Sequence, residues 1–178
     1  MKLLLLLPLF AAMISQAQQY ELKSPDGKQV LSVMVSTEGE LSYELSYSGS
    51  RVINPSPLGI YLKEPSVALN FFLVLDSRIS SKDETWQTTW GEYAKIRDQH
   101  KELFLQLRSR NGNNIRVNVV FRLFNEGLGF RYEFPKEGSL DHFIVDRESS
   151  SFALTGNHMA HWIPGDYDSN EFTYNHTR

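Results

Sequence analysis

Apolar and polar residues alternate along most of this chain with a period of two, the pattern of strands that bury one face and wet the other. Leu41, Tyr43, Leu45 and Tyr47 interleave with Ser42, Glu44 and Ser46, and a β-branched run at 30–35 precedes them. Leu103, Leu105 and Leu107 alternate with Glu102, Phe104 and Gln106. After Asn111-Gly112-Asn113-Asn114, whose residues tolerate a left-handed backbone, Ile115, Val117, Val119, Phe121 and Leu123 return opposite Arg116, Asn118 and Arg122. A slip of one residue would turn that whole apolar row to water, so the pattern also fixes the register. Asn125-Glu126-Gly127 turns the chain again, and Phe130, Tyr132 and Phe134 alternate with Arg131 and Glu133.

Other stretches are less regular. Residues 71–75 are apolar throughout and predict a strand covered on both faces. Ser24-Pro25-Asp26-Gly27-Lys28 is a turn, and Asn54-Pro55-Ser56-Pro57 reads as a loop before a short strand at 58–62. From Asp76 to Gln99 the alternation fades into a polar connection that leads to Trp86 and Trp90-Gly91-Glu92. No segment sustains a helical period, and no repeat is present. Many short strands separated by turns predict an all-β, antiparallel sandwich.

The N-terminus changes the picture of where the protein works. Lys2, the apolar run 3–13 and Ser15-Gln16-Ala17 have the form of a signal peptide cut after Ala17. The run is shorter than the about 20 residues of a membrane span. This predicts a leader at 1–17, a single domain at 18–178 and a periplasmic, cell-envelope or secreted destination without a membrane span. Cysteine is absent, which excludes disulfides, thiol catalysis and thiolate-bound metals. The formal charge of −3 argues against a nucleic-acid partner, which would call for a basic face.

Candidate chemistry concentrates in residues 162–178, WIPGDYDSNEFTYNHTR. Asp166, Asp168 and Glu171 supply carboxylates, Asn170 and Asn175 amides, and Trp162, Tyr167, Phe172 and Tyr174 ring faces. Oxygen donors beside aromatic planes suit a sugar, and they equally suit calcium, which takes oxygen ligands. A solvated surface loop has the same composition. Trp86, Trp90 and Glu92 form a second group with sugar-facing character, set against tryptophans that simply fill a core. Arg122 and Arg131 offer a clamp for a carboxylate or a stack on rings, set against the structural reading of strand arginines paired with Glu126, Glu133 or a loop carbonyl. The histidines show no metal spacing; His158 and His161 are three apart, but in a Gly-Asn context that is not helical. No phosphate loop, nucleophile elbow or distinctive carboxylate pair stands out, so these residues predict a sugar-facing sandwich without specifying a reaction.

The motifs 24–28, Ser56-Pro57-Leu58-Gly59, Trp90-Gly91-Glu92, the string 121–132 and the closing 166–178 stretch resemble, in that order, glycoside hydrolase family 97. The specific part is Asn125-Glu126-Gly127-Leu128-Gly129-Phe130-Arg131-Tyr132 followed by Asp166-Tyr167-Asp168-Ser169-Asn170-Glu171. The resemblance implies an exported bacterial, calcium-dependent α-glucosidase or α-galactosidase acting on an α-linked oligosaccharide. It implies an N-terminal β-super-sandwich packed on a (β/α)₈ barrel, with a small β domain after the barrel. Both catalytic carboxylates would lie on that barrel, so no residue at 1–178 is expected to be catalytic. The chain would stop short of the barrel, and the features that separate inverting glucosidases from retaining galactosidases would lie beyond it. By the same match, Glu171 is the calcium ligand contributed by the sandwich, with Trp90, Glu92 and Asn170 toward substrate. Two other readings compete: a stand-alone carbohydrate-binding module using Trp90 and Trp162, and a purely structural sandwich. N-terminal sequencing of envelope-fractionated protein is expected to begin at Gln18; an intact Met1 in the cytoplasmic fraction would refute the leader.

Overall fold

The computed structural model describes residues 16–111, 114–136, 140–165 and 173–178. Among the described residues every regular element is a strand, and no helix is long and apolar enough to cross a membrane. Residues 1–15 of the expected leader and the two turn residues Gly112 and Asn113 lie outside them.

Two four-stranded antiparallel sheets make the sandwich. The first has β1 (Gln18–Lys23), β2 (Gln29–Val35), β3 (Leu41–Tyr47) and β4 (Ser50–Pro57) in chain order. The second runs β10 (Leu128–Glu133), β9 (Arg116–Leu123), β8 (Lys95–Ser109) and β7 (Phe72–Gln87). A three-stranded sheet, β11 (Ile144–Glu148), β5 (Ile60–Glu64) and β6 (Val67–Leu69), adds to the core, and β12 (Ala160–Trp162) pairs with β13 (Asn175–Thr177).

The expected rows meet in one core. Leu103, Leu105 and Leu107 of β8 pair with Phe121, Val119 and Val117 of β9, and all are buried. From the other sheet Leu31, Val33, Leu41 and Tyr43 enter the same cluster. Tyr43, Phe121 and Phe130 stack as a tilted trio with centroids 5.8–6.3 Å apart. Arg116 faces out, as its place in the alternation predicts. Tyr132 is only partly buried and packs on the core rim; its hydroxyl lies 2.9 Å from Ser150 Oγ, and burial pushes its pKa up to about 12.

A hydrogen-bonded clasp joins the two sheets at one end. The buried Gln29 donates through Nε2 to the carbonyls of Phe124 (3.2 Å) and Asn125 (2.7 Å), and Asp26 N–H donates to Asn125 Oδ1 (2.9 Å). The Ser24–Lys28 turn thereby meets the Asn125–Gly127 turn. Ser24 Oγ donates to Asp26 Oδ1 at 2.7 Å, and with the Lys28 N–H it holds that carboxyl below its ordinary range. At another point of the sandwich rim, Gly39 has φ 99°, and any Cβ there would run into the backbone of Phe72. Phe72 N–H donates to Gly39 O at 2.7 Å, so the turn and the start of β7 touch backbone to backbone.

Four expectations change. The stretch 76–99 is a long hairpin, not a loose connection: β7 and β8 stay paired from Phe72↔Ser109 to Gln87↔Lys95. Residues 71–75 are not covered on both faces, since Phe72 is buried and Leu75 is 41% exposed; β7 is a sheet edge with solvent beside it. Asn54-Pro55-Ser56-Pro57 belongs to β4, which is also an edge, where proline leaves no ladder partner unsatisfied. The following strand starts at Ile60 instead of Leu58.

Two substitutions test the packing. Val119→Asp puts an unpaired carboxylate into the core and should cost more than about 3 kcal/mol in urea unfolding, while Arg116→Glu should stay within about 0.5 kcal/mol. Gln29→Leu leaves two carbonyls of the clasp without their donor and should cost about 1–3 kcal/mol, with the midpoint lowered in the same experiment.

Candidate functional site

The aromatic group singled out from the sequence sits on a projecting arm. β9 accompanies β8 only as far as Lys101↔Leu123. Beyond that rung β7 and β8 run on by themselves, from Lys82↔His100 to Gln87↔Lys95. At ~3.4 Å per residue the arm extends roughly 20 Å past its last third-strand neighbour.

Charge braces this arm more than apolar burial does. Arg97 donates to both carboxylate oxygens of Asp83 (2.8 and 2.7 Å), and Gln99 adds a third bond at 3.1 Å. The Arg97 hydrogen bond holds the Asp83 carboxyl below its usual range. On the other face Lys82 reaches Glu84 (2.6 Å) and Asp98 (3.4 Å), and the Glu84 bond raises the Lys82 ammonium. At the root, His100 is 2% exposed, with its ring 5.1 Å from that of Phe124 and Nδ1 2.5 Å from Asp98 Oδ1. Burial pushes the Asp98 carboxyl up, but His100 and Lys82 outweigh it and leave it lowered. Glu102 continues the series to Arg122 at 2.8 Å. Arg122 thus pairs across the strands with Glu102, which was not among the expected partners, and Arg131 pairs with Glu133 (2.7 Å), which was.

At the tip, Thr88 Oγ1 donates to Tyr93 O (2.5 Å), and Thr88 N–H donates to Ala94 O (3.3 Å). Between them Gly91 adopts φ 131°, which lets the chain reverse within a few residues. Trp90 projects into solvent at 88% exposure, with Glu92 and Tyr93 exposed in the same turn. Trp86 stands opposite Ile96 below the turn and is 49% exposed, which rules out the core-filling alternative for it. Tyr93 was not singled out from the sequence. The signal was its position directly after the Trp90-Gly91-Glu92 motif, which stops one residue short of it. The geometry offers ring faces for C–H contacts and one carboxylate to accept hydroxyl protons. A polar groove of about 340 Å³ lies at the root, lined by Pro25, Lys82, Asp83, Gln99 and His100 among others.

The second group is only partly visible. Trp162 lies on β12, half-exposed, with Nε1 donating to Thr177 Oγ1 at 3.1 Å. Tyr174 is exposed, and Asn175 pairs with Trp162 across the hairpin. Asp166, Asp168, Asn170 and Glu171 lie outside the described residues. Among the described residues no three Asp, Glu or His side chains converge as a metal site. Calcium takes about 6–8 oxygens, so these residues do not complete a site for it.

With this geometry in view, the comparisons with known proteins are informative. The family described as "Glycosyl-hydrolase 97 N-terminal" matches residues 22–178. A retaining α-galactosidase of Bacteroides thetaiotaomicron is 27% identical over 176 residues, covering 94% of this chain and 25% of that protein. A probable retaining α-galactosidase of Streptomyces bingchenggensis is 28% identical over 154 residues, covering 84% of this chain and 22% of its own length. Among solved structures, a glycoside hydrolase family 97 enzyme of a Pseudoalteromonas species, in complex with acarbose, superposes with TM-score 0.77 at 30% identity, over 89% of this chain and 24% of that one. A β-arabinopyranosidase shares the fold, with TM-score 0.70 at 24% identity over 81% of this chain and 22% of its own. The chain spans about a quarter of the length of these relatives. The matched segment starts near the end of β1 and takes in the rest of both sheets, the arm and the closing hairpin, and the chain belongs to the glycosyl-hydrolase 97 N-terminal family.

Proposed function

We propose that this chain is the N-terminal part of an exported α-glycosidase, an α-glucosidase or α-galactosidase acting on α-linked oligosaccharides. In this reading the sandwich packs against a (β/α)₈ catalytic barrel in the same polypeptide and forms one wall of its pocket. The observation that carries it is the family match over 22–178, together with relatives named as α-galactosidases and a related structure that holds acarbose. Export rests on the leader pattern at 1–17.

The roles follow from chemistry. Trp90 and Glu92 at the arm tip, with Asn170, face substrate: an indole plane for the sugar's C–H face, and oxygens for its hydroxyls. Glu171 is one calcium ligand among several, the others coming from outside this chain. A bound calcium would supply a fixed positive charge at the pocket wall, while this chain's share is to hold one carboxylate there. Hydrolysis itself needs two carboxyl groups about 5–5.5 Å apart in retaining enzymes or roughly 6.5–9.5 Å apart in inverting ones. Several carboxylates of the arm and sheet are engaged by cations, as in Asp83–Arg97, Glu102–Arg122 and Glu133–Arg131.

Purified 18–178 is therefore expected to leave nitrophenyl α-glucoside and α-galactoside untouched, with or without calcium. Hydrolysis by this piece that disappears in Glu92→Ala or Glu171→Ala would make the sandwich itself the catalyst. In the full-length enzyme, Glu171→Gln should raise the calcium needed for half-maximal activity by about tenfold or more. An unchanged requirement removes Glu171 from the site. Glycan-array binding by 18–178 that is lost in Trp90→Ala, without hydrolysis by the full-length protein, would replace this reading with a carbohydrate-binding module.

A further inference from the structure

The hairpin β12–β13 brings together two metal-ligating side chains that the sequence keeps far apart. His161 and His176 are direct cross-strand partners, flanked by Ala160↔Thr177 and Trp162↔Asn175. Their rings stand edge to face with centroids 4.5 Å apart, and both residues are at least partly solvent-exposed. The register is pinned from the opposite face: Trp162 Nε1 donates to Thr177 Oγ1 at 3.1 Å, a diagonal contact that a one-residue slip would break. Directly opposed residues have Cβ atoms about 4.5–5.5 Å apart, close enough for one nitrogen of each imidazole to reach a common cation at ~2.0–2.1 Å after rotation about the side-chain torsions.

We propose that His161 and His176 form a two-imidazole chelate for a borderline-soft divalent cation of the zinc or nickel kind. Imidazole suits such metals, whereas calcium selects oxygen, so this cation is of a different class from the one proposed for Glu171 and does not depend on that role. No third Asp, Glu or His among the described residues joins the pair. Two imidazoles leave positions of a four-coordinate cation to other donors, unlike the four protein ligands of a structural zinc site.

The purified chain titrated with zinc chloride in a calorimeter should bind one ion per molecule. His161→Gln or His176→Gln should each weaken that binding at least about tenfold, because either change leaves a single imidazole in place of a chelate. His158→Gln should leave it unchanged. If a variant disturbs the hairpin, the unaltered chain still decides the question by proton NMR with substoichiometric nickel chloride. The ring signals of His161 and His176 should broaden before those of His100, His142 and His158. Full zinc affinity retained in either single variant, or broadening that begins at another histidine, would overturn the proposal. An excess of calcium chloride should displace neither metal, and displacement would equally count against an imidazole site.

Discussion

The register between β8 and β9 is the constraint on which the rest of the structure depends. It places Leu103, Leu105 and Leu107 beside Phe121, Val119 and Val117 on one surface, and that surface is what β2 and β3 pack against. Shift it by one residue and the core would receive Phe104, Gln106 and Asn118 instead. Two polar contacts, one side chain to backbone and one backbone to backbone, stop such a slide without adding apolar area. Gln29 ties the first sheet to the carbonyls just past the end of β9, and Gly39 meets the start of β7, so each end of the second sheet is located relative to the first. Hydrophobic burial supplies the driving force here, while a few directional bonds choose among nearby alignments.

How much of this was legible follows from what each strand touches. Strands with one dry and one wet face announce themselves by alternation, which marks β3, the 102–107 part of β8, β9 and β10, while β2 shows in its β-branched run. The arm was not legible, because beyond the buried His100 both of its faces are largely wet and alternation carries no information. Val120 is a subtler case: it lies on the outward face of β9 yet is buried beneath its strand neighbours, so a face that reads as polar is not uniformly wet. β4 hid behind its prolines, which mark a loop in general but are tolerated at an edge. The cross-strand histidine pair was invisible for a different reason. Partners fifteen positions apart are set by hairpin register, and no local spacing encodes that.

The candidate site divides in the same way. Trp90 and Glu92 share a turn, and their exposure fits a surface that meets a ligand or another domain. Tyr93 and Trp86 extend the aromatic area beyond the residues that the motif highlighted. Family membership then gives these features a context that composition alone lacked, since an exposed indole by itself fits a module, an interface or a pocket wall equally well.

The arm also has a consequence for how the molecule opens. β8 is a single strand with two environments, greasy from Leu103 onward and ionic from Lys95 to Asp98. Ion pairs at a surface are weak and are screened by salt, whereas the core row is not. Unzipping should therefore begin at the Trp90 turn and travel inward, halting near the buried His100, where Phe124 covers the strand. Amide exchange along β7 and β8 would form a gradient, fast at the tip and protected at the root, with ionic strength moving the boundary. One hairpin thus joins a rigid anchor to a compliant reach, and surrounding salt sets where the first ends and the second begins.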